Sequence, residues 1–123
     1  MIIILKNKHT LKIDDFELKC SVGKNGITKN KVEGDKKTPK GIFELGPLFY
    51  RNDKINKPLT KLKSFVIKKN MGWCDDVKSK KNYNKLINIE KKIGHEKLYR
   101  KDNKYDLLLL IKYNYKKSVI GKG

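Results

Sequence analysis

Residues 105–111 read YDLLLLI, a nearly unbroken apolar run bounded by charged residues in a chain of which 36% is charged. Such a run is too short for a free-standing helix, which needs about 12–15 residues in water. A short run apolar at successive positions, bounded by polar residues, predicts a strand covered on both faces, so a central one. Everything else in the chain has to supply partners for it.

Those partners are predicted as strands. Phe16, Leu18, Cys20 and Val22 alternate with Glu17, Lys19 and Ser21, the period of a strand with one buried face; this places Cys20 inward beside Phe16 and Leu18. The following Gly23-Lys24-Asn25-Gly26 suits a type I′ turn at Asn-Gly and a hairpin into Ile27. Residues 33–41 (EGDKKTPKG) form a loop, in which Thr38-Pro39-Lys40-Gly41 fits a turn with proline second and glycine fourth. Ile42, Phe43 and Leu45 then open a further strand, and residues 64–68 another. Between residues 82 and 100, Leu86, Ile89 and Ile93 recur at helical spacing and predict a helical turn or two. No repeat, low-complexity linker or shift in composition marks a boundary, so the reading is one mostly β domain, residues 1–123, with long loops and a short helix.

The formal charge of +18, from 31 basic and 13 acidic residues, raises the question of a polyanionic partner. Arginine is the side chain that grips phosphates and guanines bidentately, and it occurs only at Arg51 and Arg100. Alanine and glutamine are absent while lysine, asparagine and isoleucine abound, the bias of AT-rich coding sequence. The lysines therefore read as a solvated surface, and nucleic acid is disfavoured as a partner. The apolar opening, residues 1–5, ends at Lys6 and Lys8, short of the roughly 7–15 residues of a signal-peptide core or the 18 or more of a membrane span. The expectation is a chain that stays in the cytoplasm.

Few side chains are equipped for covalent or metal chemistry. His9, His95, Cys20 and Cys74 match no zinc spacing. Cys74 is followed by Asp75 and Asp76, carboxylates that oppose thiolate formation. Cys20 fits a small core residue better than a nucleophile. His95, beside Glu96, reads as a hydrogen-bonding group rather than a general base; a Cys74–His95 dyad stays open as the weaker alternative. Gly34, Gly41 and the terminal Gly121-Lys122-Gly123 lack the spacing of a phosphate loop.

A more specific signal lies in ordered motifs. Lys31-Val32-Glu33-Gly34-Asp35 followed by Thr38-Pro39-Lys40-Gly41-Ile42-Phe43 resembles the K-x-E-G-D-x-x-T-P-x-G-x-F signature of YkuD-type L,D-transpeptidases. Tyr50-Arg51-Asn52-Asp53, Gly72-Trp73-Cys74-Asp75-Asp76, Tyr83-Asn84 and the segment from His95 through Leu98-Tyr99-Arg100 to Asp102 follow in order. They resemble segments at matching places in a bacterial subgroup of that family, as do Tyr105-Asp106-Leu107, Tyr113-Asn114 and Gly121-Lys122-Gly123. The resemblance covers almost the whole chain.

That resemblance implies a β-sandwich or barrel-type domain acting on a peptidoglycan stem peptide in the periplasm or cell wall. A cysteine attacks the peptide carbonyl on the L-centre of the diamino acid, a thioester forms, D-alanine leaves, and an amine or water resolves the intermediate. Histidine moves the proton and no metal or organic cofactor is implied. The positions carried over are the loop residues Glu33, Gly34, Asp35, Thr38, Pro39 and Gly41, together with Trp73, Asp75 and His95. No catalytic residue carries over, because the family's G-S-A-I-F-x-H stretch would begin at about Gly123 and its S/T-x-G-C stretch later still. Two expectations follow: the chain alone is inactive, and it exposes an apolar face and an unpaired sheet edge beside residues 105–111. The alternative class is a non-catalytic basic module that holds an anionic glycan or nucleic acid. The pattern sets no oligomeric state.

Overall fold

The computed structural model describes residues 1–89 and 92–123. Every regular element among them is a β-strand, and the chain divides into two compact units, Met1–Gly41 and Ile42–Gly123. Among the described residues there is no helix and no closed barrel, so the mostly β expectation holds in its coarse form and the short helix does not. No described helix is long and apolar enough to cross a membrane.

In the first unit, β1 (Ile3–Asn7), β2 (Thr10–Ile13) and β3 (Phe16–Lys19) form an antiparallel meander. Apolar residues meet across it, with Leu11 opposite both Leu5 and Leu18, and Ile13 opposite both Ile3 and Phe16. The alternation thus located β3, but the strand ends at Lys19 rather than continuing to Val22. Its apolar face is nonetheless open: Phe16 is 71% exposed and Leu18 49%, and Cys20 falls just past the strand end. Period two reports which residues share a face; it carries no information about whether a second layer covers that face.

The hairpin into Ile27 does not form. Gly26 N–H donates to Gly23 O, so Lys24 and Asn25 are the central pair of the turn and only Gly26 takes positive φ. β4 (Ile27–Thr28) then pairs in parallel with β5 (Thr38–Pro39). Thr38-Pro39 is consequently a short strand rather than the start of a turn; proline is tolerated because Lys40 N–H, not Pro39, donates to Thr28 O.

In the second unit, β6 (Leu45–Tyr50) lies between β7 (Ser64–Val66), parallel to it, and β11 (Leu107–Ile111), antiparallel. A second sheet places β8 (Met71–Cys74) between β9 (Leu86–Asn88) and β10 (His95–Lys97), both antiparallel to it. Phe49, Ile67 and Leu98 form the buried cluster, with Met71, Trp73, Tyr99, Tyr105, Leu108 and Leu110 packed against it. The span read as helical, residues 82–100, instead supplies β9 and β10, with residues 90 and 91 outside those described. At its start Asn82 N–H and Tyr83 N–H both donate to Ser79 O, a single helix-like turn.

The central strand expected at residues 105–111 is an edge strand: among the described residues β11 pairs only with β6, while β6 is the element paired on both sides. Leu107 and Ile111 are half exposed, in agreement with the expected open edge. Pro47 explains the irregularity in this pairing. The register runs Leu108 to Phe49 and Leu109 to Leu48, then slips so that Ile111 meets Leu45. Continued regularly it would set Leu110 against Pro47, which has no N–H to donate, and a bulge absorbs the defect.

Arg51, 4% exposed, closes the end of β6. Its Nε and Nη2 donate to the two oxygens of Asp53 at 2.8 and 2.7 Å, its Nη1 donates to Arg100 O at 2.6 Å, and its guanidinium carbon sits 3.6 Å from the centre of the Tyr99 ring. All three polar sides of the fork have a partner, which is the condition under which a buried cation is tolerated.

Candidate functional site

The positions carried over from the resemblance fall into two sets. Glu33, Gly34, Asp35, Thr38, Pro39 and Gly41 belong to the first unit; Trp73, Asp75 and His95 belong to the second.

In the first set the organising side chain is Asp35. Its carboxylate accepts from Lys31 Nζ at 2.5 Å, from Val32 N–H at 2.9 Å and from Lys37 N–H at 2.8 Å. The hydrogen-bonded Lys31 ammonium is the largest influence holding Asp35 at about 2. Gly34 and Lys36 on either side of it take positive φ, 78° and 55°. At Gly34 a Cβ would meet nothing, so backbone conformation rather than crowding is what favours glycine there. Thr38 Oγ1 accepts from Gly23 N–H at 2.8 Å and ties the loop back to the preceding turn. These bonds account for Asp35, Gly34 and Thr38 as parts that shape a loop.

In the second set, Trp73, Asp75 and His95 are brought together on or beside the adjacent strands β8 and β10. His95 stands directly opposite Cys74. Asp75 N–H donates to Gly94 O, and Leu98 N–H to Met71 O; this alternation makes Cys74 and His95 a non-hydrogen-bonded pair, whose side chains share one face at close range. The dyad still does not form. Cys74 is 1% exposed, a free thiol with no hydrogen bond to the imidazole among the described residues, and His95 Nδ1 lies 2.7 Å from Ile93 O. His95 is thus a backbone-anchored ring, as the sequence suggested. Cys20 is likewise free. No group of three or more potential metal-ligating side chains occurs among the described residues.

Trp73 points to the site with the most chemical character. Pro47, Phe49, Phe65, Trp73, Asn84, Lys85, Leu86, Leu110 and Tyr115 line an open groove of about 380 Å³ in the second unit. Phe49 and Phe65 stack at 5.4 Å between ring centres. From Trp73 a chain of partly buried hydrogen bonds leads away: indole Nε1–H donates to Asn84 Oδ1 at 2.8 Å, and Asn84 Nδ2–H donates to Asn114 O at 2.6 Å. Asn114 Nδ2–H then donates to Gly123 O at 2.8 Å, while Gly123 N–H donates to the buried Tyr83 hydroxyl at 2.9 Å. With indole and amide both committed, the Trp73 ring is held in a fixed orientation as a wall of the groove.

Sequence reasoning placed Trp73 but gave no role to Asn84, Asn114, Tyr83 or Lys85. Tyr83-Asn84 and Tyr113-Asn114 were visible as motif blocks, yet their meeting depends on contacts 30 residues apart in sequence. The lining offers aromatic and aliphatic surface, an amide and an ammonium. Such a lining suits a partly apolar, anionic ligand. Protein-family models, curated proteins and solved structures were all compared with this chain, and none matches.

Proposed function

We propose that this chain holds substrate in the manner of an L,D-transpeptidase-type domain, with the Trp73 groove receiving a peptidoglycan stem peptide. The observation that carries the reading is the ordered run of motifs, from Lys31-Val32-Glu33-Gly34-Asp35 through Gly72-Trp73 to His95-Glu96. The groove supports it: a stem peptide presents alkyl side chains and carboxylates, which suit the aromatic walls and Lys85. Acyl transfer of this class requires a cysteine and a histidine in the family's motifs, and Cys20, Cys74, His9 and His95 stand in neither. Residues 1–123 alone are therefore proposed to bind and not to turn over.

Trp73 is the single tryptophan and reports on its own groove. Titrating the chain with a disaccharide tetrapeptide should give a saturable change in its fluorescence with no release of D-alanine. Absence of a saturable change contradicts the binding claim; thiol-dependent D-alanine release, lost in Cys74→Ser, contradicts the claim of inactivity. The net charge of +18 favours a second reading, a non-catalytic module for an anionic glycan or nucleic acid. Polyanion binding that stays tight at about 0.2 M salt supports that reading, because purely ionic attraction fades steeply with salt.

A further inference from the structure

The backbone of β11 is paired on one side, and its hydrogen-bond parity says which groups are left over. Arg51 N–H donates to Asp106 O. In the register that pairs Leu108 with Phe49 and Leu107 with Tyr50, every second residue of β11 bonds to β6, so Leu108 faces Phe49 and the N–H and C=O of Leu107 and Leu109 point away. The far side of β6 agrees, since Leu48 N–H and Tyr50 O bond instead to the chain at Lys63 and Ile67. Past the bulge, Lys112 N–H donates to Glu44 O and Tyr113 N–H to Ile111 O, so the carbonyl of Ile111 is already taken and the outward groups are those of Leu107 and Leu109.

Proteins usually blunt such an edge with charge, proline or brevity. At the opposite edge β7 is three residues long, and Lys63 precedes it. β11 has five residues, LLLLI, and no charge; Asp106 before it and Lys112 after it are each held in an ion pair, with Lys54 and Glu44. Before the bulge, Leu107 and Leu109 offer a short template. The charge decides what it suits. Residues 42–123 hold 21 basic and 8 acidic side chains, a net +13. A second copy brings the same sign to the contact and is repelled, whereas an acidic segment is drawn in.

We propose that the outward edge of β11 accepts an extended acidic peptide strand, which adds to the sheet beside Leu107 and Leu109. Main-chain bonds supply the affinity and the basic surroundings select the sign of the partner.

The test uses amide hydrogen exchange followed by NMR, with a capped peptide of about eight residues alternating glutamate and valine, a lysine–valine counterpart, and an acidic peptide of equal charge interrupted by proline. The glutamate–valine peptide should slow exchange at Leu107 and Leu109 by about tenfold or more, while the other two leave both amides unchanged. Leu107→Pro removes one outward N–H without touching the Leu108–Phe49 pair and should weaken binding about tenfold, roughly the loss expected for one or two such bonds. If Leu107→Pro fails to fold, N-methylation of alternate residues in the peptide makes the same test from the other side and should weaken binding equally. Equal binding of the proline-interrupted peptide would show ionic attraction alone and overturn the proposal. Protection of Leu107 and Leu109 that rises with protein concentration, without peptide, would assign the edge to a second copy and overturn it too.

Discussion

Among individual residues, the acids illustrate how far sequence goes. Asp35 was visible as a motif position, but its work is visible only in the fold, where one carboxylate gathers Lys31, Val32 and Lys37. Asp53, hydrogen-bonded to Arg51, and Asp102, hydrogen-bonded to Arg100, are held at about 2 as Asp35 is. A carboxylate whose folded value is depressed adds stability that is complete above its unfolded value, near 4, and is lost as pH falls toward the folded value. The melting temperature should accordingly hold steady above about pH 5 and fall between about pH 4 and 2, and Asp35→Asn should flatten that fall. An acid limb unchanged in Asp35→Asn would show that the loop bonds contribute nothing to folding. Asn84 and Asn114 mark the other extreme. Nothing in a single sequence distinguishes an asparagine that links Trp73 to a distant loop from the many that face solvent, although Asn114 with φ of 48° occupies a conformation that asparagine tolerates better than most.

For the elements, apolar pattern located strands but not their neighbours. The run at residues 105–111 is a strand, yet it lies at an edge because β6, with Leu48, Phe49 and Tyr50 all buried, takes the centre. Helical spacing at Leu86, Ile89 and Ile93 was overridden by pairing, since β8 offers ladder bonds to β9 and β10 on both sides. Gly72 shows how close that pairing is: a Cβ there would lie 2.7 Å from Ile89 Cγ2 and 2.9 Å from His95 Cδ2. Gly72→Ala should therefore destabilise the chain by about 1–3 kcal/mol, the usual cost of forcing atoms into a filled site, read as a lower urea midpoint at constant slope. A neutral Gly72→Ala would mean that β8 and its neighbours are less tightly packed than described.

For the molecule as a whole, two β-rich units carry a large positive charge, and the site with the most chemical character is the aromatic groove beside Trp73. The mostly β class was legible from alternation and short apolar runs. The groove was not, because it is assembled from Pro47, Phe65, Trp73, Leu110 and Tyr115, residues spread over most of the second unit. The reading that this groove receives a stem peptide is tested most directly by an NMR titration of the isotopically labelled chain with a disaccharide tetrapeptide. The account predicts saturable shifts at the Trp73 indole N–H, the Asn84 side-chain amide, Leu86 and Leu110. Shifts confined to the lysine-bearing loops and abolished by about 0.2 M salt, or no shifts at all, would contradict it.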